Sequence, residues 1–85
     1  MSYIVFLHPN VIKFLRKLSK SDVNRIKSKL EELTEPYSVK AVKIKNKDAF
    51  RIRVGDYRIL YTVDDSKRVV VVFKVDKRGR VYNRL

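Results

Sequence analysis

Five residues, Phe50-Arg51-Ile52-Arg53-Val54, alternate apolar and basic without a break and run directly into Gly55-Asp56. Such alternation marks a half-buried strand, because successive side chains of a strand point to opposite faces. A two-residue connection with glycine first fits a type II′ hairpin turn. Tyr57-Arg58-Ile59-Leu60-Tyr61-Thr62-Val63 then supplies the returning strand. This hairpin sets Val54 opposite Tyr57, Arg53 opposite Arg58 and Ile52 opposite Ile59. Phe50, Ile52, Val54, Tyr57, Ile59 and Tyr61 then share a core face, and Arg51, Arg53 and Arg58 share the other. A slip of one residue would reverse both sets.

Like charges directly across a ladder are destabilising, so Arg53 against Arg58 calls for a reason. Either two solvated arginines fan apart into water, or the cluster is preformed for phosphate. The planar guanidinium suits phosphate because it donates two bonds at once. The cluster is all arginine in a chain otherwise rich in lysine, which favours the phosphate reading.

The rest of the chain supplies the partners this hairpin needs. Tyr3 to Leu7 reads as a short strand closed by His8-Pro9. Pro9 suits the first turn of a helix, and His8 beside it reads as structural or exposed. Val11, Ile12, Leu15 and Leu18 repeat at helical spacing. Ser19 or Ser21 caps a second helix. Its stripe is Val23, Ile26, Leu30 and Leu33, and it ends near Glu35-Pro36. The two helices form a hairpin. Val39 to Ile44 alternates with lysines and reads as a further strand. Asp64-Asp65-Ser66-Lys67 is a turn, and turn chemistry accounts for its acidic pair. Arg68 to Val75, with its run of valines, reads as a central strand covered on both faces. The order is β-α-α-β-β-β(-β). It predicts one α+β domain over residues 1–85, with the helices on one face of a mostly antiparallel sheet.

Charge narrows the function. The 85 residues hold 21 Lys and Arg against 9 Asp and Glu, a net +12. Solubility of a small domain asks for no more than about 8 net charges, so the excess points to an anionic partner. There is no cysteine and one histidine, which excludes disulfides and a cysteine or histidine-cluster metal site. No cofactor motif is present. No apolar run approaches the roughly 18 residues of a membrane span, and no secretory signal is visible. The expected setting is the cytoplasm, away from membranes. The C-terminal stretch adds Lys77, Arg78, Arg80, Tyr82 and Arg84. Leaving the valine-rich strand, it can fold back beside Arg51, Arg53 and Arg58. Tyr82 can then stack on a base or move a proton.

Phe50-Arg-Ile-Arg-Val54, Gly55-Asp-Tyr-Arg-Ile-Leu-Tyr61 and the valine-rich strand closing in Lys77-Arg78 and Val81-Tyr82 together resemble the RelE/ParE superfamily of toxins. The resemblance covers nearly the whole chain. It implies a RelE-like fold and a type II toxin–antitoxin system, with a cognate antitoxin bound as a hetero-oligomer. The RelE branch consists of ribosome-dependent endoribonucleases that cut mRNA in the A site without a metal. The ParE branch shares the fold and poisons DNA gyrase; a non-catalytic RNA-binding module is a third reading. RelE roles carried over by position make Arg51, Arg53, Arg58, Arg78 and Tyr82 catalytic. Lys77, Arg80 and Arg84 are expected to contact ribosome and RNA. Arg51 and Arg53 stand where the family has lysines, and arginine does not serve as a general base.

Overall fold

A computed structural model of the protein describes residues 2–44 and 48–77. Strand β1 (Ile4–Leu7) leads into helices α1 (Pro9–Arg16) and α2 (Lys20–Glu32). A 3-10 turn (Pro36–Ser38) and strands β2 (Val42–Lys43), β3 (Ala49–Val54), β4 (Tyr57–Asp64) and β5 (Val69–Lys77) follow. The sheet order is β1-β5-β4-β3-β2. Only β1 and β5 run parallel; the other neighbours are antiparallel, as the α+β reading expects.

Local chemistry sets the helix ends. His8 is the N-cap of α1, its Nδ1 accepting the Asn10 backbone N–H at 3.1 Å. Of the two candidate serines, Ser19 caps α2, its Oγ accepting from the Asp22 N–H at 3.2 Å. Helix α2 ends at Glu32, a little before the expected Glu35. Thr34 Oγ1 donates back to the Glu31 carbonyl at 2.8 Å. Glu35 is then pushed out of helical geometry by the proline that follows it.

Both helices lie on one face of the sheet. Val11, Ile26, Leu30 and Leu33 meet Ile52, Tyr57, Ile59, Tyr61, Val70, Val72 and Val75 in one buried cluster. The β3–β4 ladder pairs Val54 with Tyr57, Arg53 with Arg58 and Ile52 with Ile59, the register expected of the hairpin. Gly55 has a φ of +57°, and Asp56 beside it does not have positive φ. Positive φ at the first central position alone fits the type II′ turn. Gly55 also has the Arg25 guanidinium packed over it, where a Cβ would collide.

Two expectations change. The strand over Val39 to Ile44 reduces to Val42–Lys43, because Pro36–Ser38 turns the chain just before it. Nor is β5 covered on both faces among the described residues. It is an interior strand, but both helices are spent on one side. Val70, Val72 and Val75 face the core, while Val71 and Phe73 are more than one-third exposed on the other side. A bulge between Leu60 and Tyr61 opposes them to Lys74 and Val72, leaving Phe73 as the extra residue.

Ile59 and Leu33 have no solvent exposure. Ile59→Ala or Leu33→Ala should each cost about 2–5 kcal/mol. Arg51→Ala, on the open face, should stay within about 0.5 kcal/mol. Urea titration checks this: the core variants should lower the midpoint with unchanged slope.

Candidate nucleic-acid interface

The ladder brings three charged residues into one row across the open sheet face. Arg53 on β3 pairs with Arg58 on β4, and Arg58 pairs with Asp76 on β5. The like-charge opposition is therefore relieved by a third residue, not by two arginines fanning into water. Arg58 Nε donates to Asp76 Oδ1 at 2.9 Å, and Nη2 donates to Oδ2 at 2.9 Å. The two side chains are only 33% and 24% exposed. Lys74 Nζ lies 3.9 Å from the same carboxylate. Sequence reasoning missed Asp76 because it assigned that residue to the basic tail. Its signal was the register: extending β5 by two residues places it opposite Arg58.

Arg51 and Arg53 behave differently. Both are exposed, and among the described residues neither has an ion pair. They line a cleft of about 300 Å³ with Lys40, Val42 and Ile52. Val42 pairs with Arg51 across the β2–β3 ladder. Lys40 was not singled out from sequence, although its place in the alternating stretch before β2 puts it on this side.

The cationic half of the face therefore holds Lys40, Arg51 and Arg53 open to solvent and Arg58 held by a carboxylate. Exposed cations on one face are suited to a polyanion backbone. Lys77 is exposed at the end of β5, opposite Tyr57. Arg78, Arg80, Tyr82 and Arg84 lie outside the described residues. Among the described residues no three His, Cys, Asp or Glu side chains converge on a metal position.

The other tyrosines are committed elsewhere. Tyr57 points its hydroxyl to Asp22 Oδ2 on α2 at 2.8 Å, and that hydrogen bond, with burial, raises its pKa. Tyr61 is buried against Phe50, and burial raises its pKa too. Neither is placed to serve the cationic face as a base.

Comparison with known proteins gives this face a context. A family model described as ParE toxin of type II toxin–antitoxin system, parDE, matches residues 5–82. The mRNA interferase toxin RelE of Escherichia coli K12 is 34% identical over 83 residues, covering 94% of this chain and 87% of that protein. The chain belongs to the RelE/ParE superfamily of type II toxins. Its fold agrees. The isolated E. coli RelE toxin superposes with a TM-score of 0.79 at 32% identity, covering 98% of this chain and 94% of that one. RelE in the archaeal RelE–RelB complex of Pyrococcus horikoshii OT3 gives a TM-score of 0.76 at 32% identity, covering 94% and 99%.

A second polar cluster sits at the β4–β5 turn. Asp64 does the turn work, accepting from Ser66 Oγ at 2.8 Å and the Lys67 N–H at 3.1 Å. Asp65 does not, which corrects the turn-only reading of the acidic pair. Its Oδ1 accepts from the Tyr3 hydroxyl at 2.8 Å and the Tyr37 hydroxyl at 2.7 Å. The two rings meet edge to face, and Arg68 lies over Tyr3. Asp65 thus ties the start of β1 and the 3-10 turn to the far end of the sheet. These bonds hold its carboxyl below the usual value of 3.8 and push Tyr37 up to about 12.

The signs are opposite at the two ends of the pH scale. A carboxyl with a lowered folded pKa stabilises above its unfolded value and loses that contribution as pH falls. A tyrosine with a raised folded pKa stabilises below its unfolded value of 10.0 and loses that contribution as pH rises toward about 12. Asp65→Asn should therefore flatten the loss of stability below pH 3.8 and between pH 10 and 12. Denaturant midpoints of wild type and variant across pH check it.

Proposed function

We propose that this chain is the toxin of a type II toxin–antitoxin pair and acts as a ribosome-dependent endoribonuclease on mRNA in the A site. The observation that carries the reading is the arginine set on one open sheet face, in a chain 34% identical to an mRNA interferase toxin. A net charge of +12 also suits a target built of ribosomal RNA, where it adds affinity and speeds encounter.

The reaction is attack of a ribose 2′-oxygen on the adjacent phosphorus. The 2′-O–P bond forms, the bond to the next nucleotide's 5′-oxygen breaks, and a 2′,3′-cyclic phosphate remains. A base takes the 2′-OH proton, an acid protonates the leaving 5′-oxygen, and cations stabilise the charged phosphorane. Arg58 clamps the scissile phosphate. Arg51 and Arg53 stabilise charge and do not act as bases, since arginine stays protonated. Tyr82 is the candidate base by its place in the family pattern, and Arg78 stabilises the leaving group. Lys77, Arg80 and Arg84 hold ribosomal RNA. The scheme needs no metal.

An antitoxin with an acidic or amphipathic helix is the expected partner, in the cytoplasm. The RelE relatives include a RelE–RelB complex. The apolar half of the open face, Ile4, Phe6, Val71 and Phe73, adjoins the cationic half and supports such a segment. A gyrase-poison reading is the second, because the matching family model carries the ParE description.

Primer extension on mRNA, with and without programmed ribosomes, tests the choice. Cuts should appear only with ribosomes. Arg58→Ala should slow them about 10²–10³-fold, and Tyr82→Phe about 10²–10⁴-fold. Intact mRNA together with inhibited gyrase supercoiling would decide for the second reading.

A further inference from the structure

Asp76 has no role in the chemistry above, yet it makes a bidentate ion pair on the open face. Arg58 and Asp76 are direct partners in the β4–β5 ladder, so the two side chains leave the sheet side by side. Both carboxylate oxygens are used, each accepting one guanidinium N–H at 2.9 Å. Two parallel bonds fix the plane of the guanidinium as well as its position. Asp76 takes the Nε–Nη2 edge. On the other flank stands Arg53, whose charge repels Arg58 along the same row. The carboxylate opposes that repulsion and narrows the many rotamers of arginine.

We infer that Asp76 is a positioning residue of the nuclease, which orients Arg58 toward the scissile phosphate. This rests on the nuclease reading. It deepens that reading by explaining how an arginine is held in register opposite another arginine. Asp76 touches neither the RNA nor the reacting atoms in this role. Its effect passes wholly through Arg58.

The test is a double-mutant cycle on programmed ribosomes in single-turnover cleavage, using wild type, D76A, R58A and R58A/D76A. Thermal melts by circular dichroism establish that each variant is folded, and D76N, which keeps the shape, stands in if D76A does not fold. D76A should slow cleavage by up to about 100-fold, with the half-saturating ribosome concentration unchanged. D76N, left with one acceptor oxygen, should fall between D76A and wild type. In the R58A background, D76A should have no further effect, since residues acting as a unit are not additive. Equal losses in both backgrounds would overturn the inference in favour of a general structural role. Unchanged or faster cleavage by D76A beside an active wild type would overturn it alone. Absence of cutting by the folded wild type would remove the nuclease reading and this role with it.

Discussion

The register of the β3–β4 hairpin is the constraint on which the rest of the molecule depends. A strand reverses its two faces with every single-residue shift. Gly55 permits the left-handed step at the turn, and burial of Ile52 and Ile59 penalises any slip. Once these are in place, every open-face position on β3 and β4 is assigned, and the arginines emerge together. The cationic face is thus a by-product of how the core is packed. Its residues need no stabilising role of their own, and Arg51 and Arg53 have none that the sheet requires.

Few acids are available in a chain with 21 basic residues and 9 acidic ones. Their placement is correspondingly informative. Asp22 anchors the Tyr57 hydroxyl and lies 3.7 Å from Arg25, which packs over the hairpin tip. Asp65 collects two tyrosines from distant parts of the sequence. Asp76 is the acid set into the open face beside the arginines, and it neutralises Arg58 while the more exposed Arg51 and Arg53 keep their charge. Spending one carboxylate there leaves a graded surface, with a rigid cation at its centre and adaptable ones at its edge.

Patterns carried by one or two adjacent elements were readable from sequence. The helical stripes, a serine cap at Ser19 or Ser21, the turn at Gly55 and the arginine face all follow from periods and turn chemistry within a few dozen residues. What escaped was pairing between distant segments. Asp76 looks like the first residue of a basic tail until β5 is laid against β4. Asp65 looks like an ordinary turn residue until β1 and the 3-10 turn bring Tyr3 and Tyr37 to it. The valine run suggested burial on both sides, yet apolarity alone does not say how many helices are available to cover it. Lys40 was obscured in the same way, since its neighbours across the sheet come from β3. The tail residues Arg78 and Tyr82 rest on resemblance alone.

The parallel pairing of β1 with β5 has a consequence for the order of events in folding. Ile4 sits beside Val69 and Leu7 beside Val72, so among the described residues β1 joins the sheet through β5. A contact closing so long a loop forms late and slowly compared with the local hairpins. During synthesis the helices and the β3–β4 hairpin are available first, while β1 waits with one apolar side uncovered. Pairing of β1 with the sheet therefore waits until β5 has been made. A product that stops before Val69 lacks β5, and with it the strand that joins β1 to the sheet and the carboxylate paired with Arg58.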